Sequence, residues 1–81
     1  MYNDHHNLIS EFPKHRDLIH TLKETDSHFR RLFDLYHEVS AELHQIESGV
    51  ITPSDEYVES CKKRRLKLKD ELFDILTTRA A

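Results

Sequence analysis

Apolar residues at alternating spacings of three and four constrain the fold of this chain more than any other feature of its sequence. One row of this kind is Phe29, Leu32, Tyr36, Val39, Leu43, Ile46 and Val50. A second row, which includes two arginines, is Val58, Cys61, Arg65, Leu68, Leu72, Ile75 and Arg79. This spacing puts side chains along one face of a helix and is typical of a coiled-coil seam. The sequence therefore predicts two long helices, each with one apolar seam.

The segment between the two rows carries the signals of a chain reversal. Gly49 can take the left-handed conformation that ends a helix, and Thr52 and Pro53 are expected to cap and begin the next helix. A reversal about Thr52 pairs the two rows, and the facing pairs include Ile46 with Val58, Leu43 with Cys61, Tyr36 with Leu68, and Phe29 with Ile75. The predicted fold is therefore centred on a long antiparallel, coiled-coil-like helical hairpin.

The same register places acids opposite bases, a flanking charge pattern that sets pairing and orientation in coiled coils. The expected neighbours are Glu42 with Lys62, Glu38 with Arg65 or Lys67, and Asp34 with Lys69. Arg65 falls within the seam itself. Its aliphatic stem is expected to lie over apolar neighbours while the guanidinium reaches Glu38 or Glu42.

A short amphipathic helix is expected before the hairpin. Pro13 suits its first turn, and the polar residues Thr25, Asp26 and Ser27 can cap the helix that follows. We expect helices at about residues 13–24, 26–48 and 53–79 within one domain of residues 12–81, and a flexible polar arm over residues 1–11. Because the chain has one glycine, two prolines and 33% charged residues, the predicted class is all-α.

Several classes of function are not expected. Cys61 is the only cysteine, so no internal disulfide can form, and apolar surroundings predict a core residue rather than a nucleophile. No apolar run approaches the ~20 residues needed to cross a bilayer, and no signal peptide is evident, so we expect a cytoplasmic protein without a membrane partner. The chain lacks a glycine-rich phosphate loop and any arrangement of paired catalytic carboxylates. We therefore expect no enzymatic activity, no cofactor and no small-molecule substrate.

The histidines do not have the spacing of a helical metal site. His15 and His20 are five residues apart and His37 and His44 are seven apart, whereas two ligands on one helix need a spacing of three or four. His5 and His6 are adjacent in the expected arm. We expect solvated histidines on the helix flanks and no metal site, although His37 and His44 would charge near pH 6.5 beside the seam.

Two surfaces are candidates for binding. An outer apolar set is expected to need cover from the short helix, a second copy or another protein, and it consists of Leu66, Phe73, Leu76, Phe33 and Leu35. The basic run at residues 62–69 has six bases and no acid, and its members expected to point outward towards a charged partner are Lys63, Arg64 and Lys67. The net charge of −3 and the lack of interleaved aromatic residues make nucleic acid a less expected partner for this run.

Several short segments resemble the YdcH-like family of small bacterial helical proteins. These segments are Phe12-Pro13, Arg16-Asp17-Leu18-Ile19, His28-Phe29, Leu32-Phe33-Asp34, Lys67-Leu68-Lys69-Asp70-Glu71-Leu72 and Ile75-Leu76. The resemblance covers roughly residues 12–77, and its most specific part is residues 66–72. It implies a short, coiled-coil-like helical protein of uncharacterised function and adds no mechanism. The histidine-bearing start, residues 2–6, departs from the family pattern.

The sequence thus favours a small non-enzymatic protein–protein interaction or scaffold module, with a homodimer as the expected self-associated form. The alternative is a nucleic-acid or ribosome accessory protein that binds through the basic run at residues 62–69. The two differ in their salt response, because binding to phosphates weakens steeply as salt rises.

Overall fold

The computed structural model describes residues 8–80, and within that range every regular element is a helix. A short helix α1, Leu8–Glu11, precedes a 3-10 turn at Pro13–His15 and helix α2, Arg16–Thr25. Two longer helices follow, α3 at Ser27–Glu47 and α4 at Asp55–Ala80. The predicted all-α class is confirmed. His5 and His6 of the expected arm lie outside the described residues.

Asp26 separates α2 from α3. Its backbone is extended, with φ −129° and ψ 106°, and its side chain accepts a hydrogen bond from the Phe29 amide at 3.1 Å. This is the N-cap geometry expected for the polar cluster at residues 25–27, because the carboxylate satisfies an amide that has no partner within the first turn. The other carboxylate oxygen accepts from Arg79 Nη2 at 2.9 Å, which joins the start of α3 to the end of α4.

The connection between α3 and α4 contains the expected left-handed glycine. Gly49 has φ 82°, a conformation that glycine adopts without the steric penalty of a side chain. The cap of α4 is Ser54 rather than Thr52, because the Ser54 hydroxyl accepts from the Tyr57 amide at 3.2 Å. Helix α4 therefore begins at Asp55, and Thr52 and Pro53 belong to the connection.

The core lies between α3 and α4 and is closed on one side by the shorter helices. Most of its side chains come from the two predicted rows: Phe29, Leu32, Tyr36, Val39, Leu43, Cys61, Leu68 and Leu72. Ile19 and Leu22 of α2 are buried in the same cluster. Burying apolar side chains is the main favourable term in the folding free energy, so these residues account for most of what holds the helices together.

The expected flexible arm requires a correction over residues 8–11. These residues form α1, and Leu8 is fully buried in the common core. The ring of Phe12 stacks on Phe73 of α4 with centroids 5.3 Å apart. The polar composition of the first residues suggested a loose segment, but burial of Leu8 and the contact between Phe12 and Phe73 help to hold this single helical turn against the longer helices. In the described part of the chain, no helix is long and apolar enough to cross a membrane.

Candidate interaction surface

The five residues of the predicted association surface do not form one continuous face. Leu66 is 58% exposed and Leu35 is 38% exposed, as expected for residues that await a partner. Phe73 is 43% exposed, although one face of its ring is already covered by Phe12. Leu76 is fully buried and Phe33 is half-buried, so neither supports the expected exposed surface.

Leu76 and Phe33 both belong to the common core, Leu76 as a buried member and Phe33 as a partly buried neighbour. Leu76 follows Leu72 by one helical turn and extends the buried row of α4. The ring of Phe33 lies 4.2 Å from the imidazole of His37, and Lys23 Nζ of α2 lies 4.6 Å from its centroid in a cation–π arrangement. Of the three kinds of cover that the sequence suggested for this apolar set, the short helix α2 therefore covers part of Phe33.

An open groove remains between α3 and α4. Its apolar walls are Leu35, Val39 and Leu68, and the charged groups on its rim are Glu38 and Arg64. The groove has a volume of about 190 Å³. Glu38 is exposed and forms no ion pair within the described residues, whereas Arg64 contacts Glu42 at 3.7 Å and stays 58% exposed. The groove therefore combines an apolar floor with one acid and one base at its edges.

A polar cluster around Glu42 fastens the first turns of α4 to the end of α3. The Tyr57 hydroxyl donates to one carboxylate oxygen, and Cys61 Sγ lies 3.8 Å from the other. The hydrogen bond to Glu42 raises the pKa of Tyr57 to about 12, because losing the proton would break that bond beside a negative charge. Tyr57 is therefore a neutral donor, and its hydrogen bond to Glu42 joins the two helices.

The patterns in the sequence did not predict this cluster around Glu42. Cys61 is buried, which confirms the predicted core position, but its surroundings are not entirely apolar because Glu42 approaches its sulfur. Glu42 was expected near Lys62, whereas Lys62 lies 3.9 Å from Glu59 of its own helix. The tyrosine one turn before Cys61 was the available signal, since a Tyr hydroxyl seeks a hydrogen-bond partner.

The predicted charged surface is partly neutralised. Lys63, Arg64 and Lys67 are exposed as expected, but Arg64 already has Glu42 as a neighbour. Lys63 shares a shallow depression with the acids Asp55, Glu56 and Glu59. A surface on which bases lie near carboxylates exerts little net attraction on an anion.

Two further basic side chains of the run at residues 62–69 do not have the neighbours that the register predicted. Lys69 Nζ binds Glu11 of α1 at 2.6 Å, whereas the sequence suggested Asp34, which pairs with Arg30 at 3.1 Å. Arg65 is half-buried, and its Nη1 atom is buried without a hydrogen-bond partner. The sequence predicted that Arg65 could reach Glu42, but the arginine that contacts this carboxylate is Arg64.

His37 is not the solvated histidine that the sequence predicted. The imidazole is half-buried, its Nε2 atom lies 3.3 Å from the Leu8 amide nitrogen, and its Nδ1 atom lies 2.8 Å from the Phe33 carbonyl oxygen. Burial lowers the pKa of His37 from its ordinary value of 6.5, and the hydrogen bond to Phe33 opposes this shift in part. No local pattern in the sequence signals this contact, because Leu8 lies 29 residues away.

No group of three His, Cys, Asp or Glu side chains in residues 8–80 is arranged to hold a metal ion. The expectation about His5 and His6 concerns residues outside this range. Among the described histidines, His37 uses both ring nitrogens in contacts with the protein backbone. Its chemistry therefore lies in helix packing rather than in ligand binding.

Comparisons with known proteins agree on one family. The sequence model of a family described as "Protein of unknown function (DUF465)" matches residues 29–76. Over 65 residues the chain is 37% identical to "Uncharacterized protein YdcH" of Escherichia coli (strain K12), a match that covers 80% of this chain and 88% of that relative. A protein of the same name from Shigella flexneri matches to the same extent. No solved structure gives a significant match.

Proposed function

We propose that this chain, which belongs to the DUF465 family of proteins of unknown function, is a non-enzymatic interaction module in which a helical hairpin self-associates through the groove between α3 and α4. The observation that carries the proposal is the groove formed by Leu35, Val39 and Leu68, with Glu38 and Arg64 on its rim. The YdcH-like resemblance supports the family and is silent on the activity.

The hairpin itself is supported by contacts at both ends of the long helices. Asp26 at the start of α3 binds Arg79 at the end of α4, and Glu42 near the end of α3 binds Tyr57 in the first turn of α4. Between these contacts, most of the predicted seam residues are buried. Coiled-coil-like packing is the arrangement we propose for this pair, because the spacing of three and four is the one that knobs-into-holes packing requires.

A second copy of the chain is the occupant that the groove fits best. We propose a twofold dimer in which Glu38 of each copy lies near Arg64 of the other, and an isologous interface would make this contact twice. Each acid would then meet a base while Leu35 of one copy packs against the groove of the other. Charge complementarity of this kind fixes orientation and register more than it adds affinity.

The size of the chain also favours self-association. A domain of 81 residues buries a limited fraction of its unfolded surface, so its stability margin is small. Large apolar side chains left in water, such as Leu35 and Leu66, add little to that margin until a partner covers them. Pairing of two hairpins would give a four-helix arrangement with one shared apolar layer.

The nucleic-acid alternative receives less support from the structure. Of the six bases in the run at residues 62–69, three have a carboxylate neighbour, namely Lys62, Arg64 and Lys69. Binding to phosphates would have to compete with these neighbours, and the overall charge of −3 opposes it. A cytoplasmic location, with no membrane or small-molecule partner, forms part of the same proposal.

The decisive experiment uses charge reversal in two separate variants. In Glu38→Arg the twofold contact would set two arginines against each other, and in Arg64→Glu it would set two glutamates against each other. Each variant alone should self-associate at least about tenfold more weakly than the natural chain, because two favourable pairs become two repulsive ones. A mixture of the two variants should form a heterodimer, because both of its contacts join an acid to a base. One contact has both charges reversed, and the other keeps the natural pair of Glu38 and Arg64. Sedimentation equilibrium and native mass spectrometry measure these species.

Glu59→Arg is the matched control for Glu38→Arg, because it makes the same change of charge at a position on α4 that does not line the groove. Circular dichroism checks that each variant remains helical, in particular Arg64→Glu, which places a second carboxylate near Glu42. Unaltered association of both variants would refute the groove as the interface. A natural chain that is monomeric at several hundred micromolar would refute self-association. Salt-sensitive binding to generic RNA would instead favour the alternative.

A further inference from the structure

Helix α1 is attached to the rest of the chain by three contacts of different kinds. The Leu8 amide donates to His37 Nε2 of α3, and Glu11 pairs with Lys69 of α4. The third contact is the stacking of Phe12, the residue after α1, on Phe73 of α4. Because a single helical turn is too short to be stable alone, α1 depends on these contacts and on the burial of the Leu8 side chain.

The hydrogen bonds of His37 specify one state of its ring. The Phe33 carbonyl oxygen can only accept, so Nδ1 carries the proton in the 2.8 Å contact with it. The Leu8 amide can only donate, so Nε2 must be the unprotonated acceptor in the 3.3 Å contact. Both bonds are satisfied together only by the neutral imidazole with its proton on Nδ1. A proton on Nε2 would point at the hydrogen of the Leu8 amide and remove the acceptor.

We propose that His37 is a pH-sensitive latch that holds α1 against α3 when its imidazole is neutral and releases α1 when Nε2 takes up a proton. Release of α1 would uncover the apolar surface that Leu8 and Phe12 now cover, including one face of Phe73. This inference stands on the contact between α1 and α3 and does not depend on self-association through the groove.

The charged surroundings of His37 come from each neighbouring element. Lys23 of α2 disfavours the imidazolium, whereas Asp34 of α3 favours it, and both contribute less than burial. On α1 and α4, Glu11 and Lys69 pair with each other. Histidine is the side chain whose ordinary pKa lies between pH 5 and 7, so we assign the proton uptake that couples to release in this range to the imidazole of His37.

The sign of the pH dependence follows from the lowered pKa of docked His37. When α1 is released, the imidazole regains its ordinary pKa near 6.5, so the released state binds a proton more readily than the docked state. The latch is therefore complete above pH 6.5 and weakens as the pH falls below that value. The weakening levels off once the pH is below the pKa of the docked imidazole. One coupled proton limits the change in the docking equilibrium to about tenfold for each pH unit.

Amide hydrogen exchange followed by NMR tests the latch directly. The informative amides are that of Leu8, which binds His37, and that of Phe12, which binds the Leu8 carbonyl oxygen at 3.0 Å at the end of α1. After correction for the pH dependence of chemical exchange, their protection should fall by up to about fivefold between pH 6.5 and 5.5. Amides in the middle of α3 and α4 should keep their protection over the same range.

Two variants separate the latch from general acid sensitivity. In His37→Gln a side-chain oxygen can still accept a hydrogen bond but does not titrate, so the protection of α1 should become independent of pH. In His20→Gln an exposed histidine of α2 is replaced, and the pH dependence should persist. The natural chain provides a test that needs no variant, because Leu8 protection should fall between pH 6.5 and the midpoint of the NMR titration of the His37 ring. Constant Leu8 protection over that range would overturn the proposal, as would an equal pH dependence in His37→Gln.

Discussion

Replacement of Arg65 by leucine should stabilise the chain. Arg65 occupies a seam position of α4, where its neighbours along the helix face, Cys61 and Leu68, are buried. The structure leaves its Nη1 atom buried without a hydrogen-bond partner. The carboxylate that the sequence suggested for it, Glu42, lies instead beside Arg64. The arginine therefore bears a desolvation cost in the folded state that no bond offsets at Nη1.

The size of the effect follows from that unpartnered group. A buried donor without a partner costs about 1 to 3 kcal/mol, and a leucine at this position would remove that cost while filling the seam. A buried leucine also adds apolar burial, but the contacts made by the aliphatic stem of the arginine are lost, and these two effects oppose each other. We expect Arg65→Leu to raise the free energy of unfolding by about 1 to 3 kcal/mol. For a chain of this size, this corresponds to a rise in Tm of about 5 to 15 °C.

Urea unfolding followed by circular dichroism measures this difference. Lys63→Leu, an equal loss of charge at an exposed position two residues away, should change the free energy of unfolding by less than about 0.5 kcal/mol. Sedimentation velocity on the same samples should show a broader distribution of species for Arg65→Leu, because a polar seam residue restricts register and stoichiometry. If Arg65→Leu is no more stable than the Lys63→Leu control, the desolvation cost assigned to the Nη1 atom of Arg65 is refuted.

Two other substitutions test the packing and the cap. Leu76→Ala should lower the free energy of unfolding by about 2 to 5 kcal/mol because Leu76 is fully buried, whereas Leu66→Ala should change it by less than about 0.5 kcal/mol. Equal urea midpoints for these two variants would contradict the burial described here. Asp26→Ala should cost about 0.5 to 2 kcal/mol through loss of the cap on the Phe29 amide. Asp26→Asn keeps an acceptor but loses the charge opposite Arg79, so it should fall between the natural chain and Asp26→Ala in thermal unfolding.

Local patterns were sufficient to predict the three longer helices and most of the residues that line their core faces, but not helix α1. The spacing of three and four predicted seam positions, and the buried members include Phe29, Tyr36, Leu43, Cys61 and Leu72. The breaks between helices were also readable, because Asp26 and Gly49 act through contacts within a few residues of themselves. The cap of α4 was displaced from Thr52 to Ser54, an error of the size common at helix ends.

The candidate surface was predicted less well because exposure depends on what packs against a helix. Leu66 and Leu35 are exposed as the sequence suggested, but Leu76 is buried in the common core and Phe33 is half-buried beside Lys23 of α2. Charged partners were misassigned for a related reason. Long side chains reach several positions across a helix pair, so a register alone does not decide whether Arg64 or Lys62 meets Glu42.

The all-α class, the family, the two apolar seams and the breaks between helices could be predicted from the sequence, since each depends on the spacing or chemistry of residues close together in the chain. The burial of Leu8, the hydrogen bond from its amide to His37 and the pairing of Glu11 with Lys69 are known from the three-dimensional structure alone. These contacts join residues 29 and 58 positions apart. Periodicity carries no information on them, because they depend on where the short helix α1 packs against the longer helices and not on the pattern within any one helix.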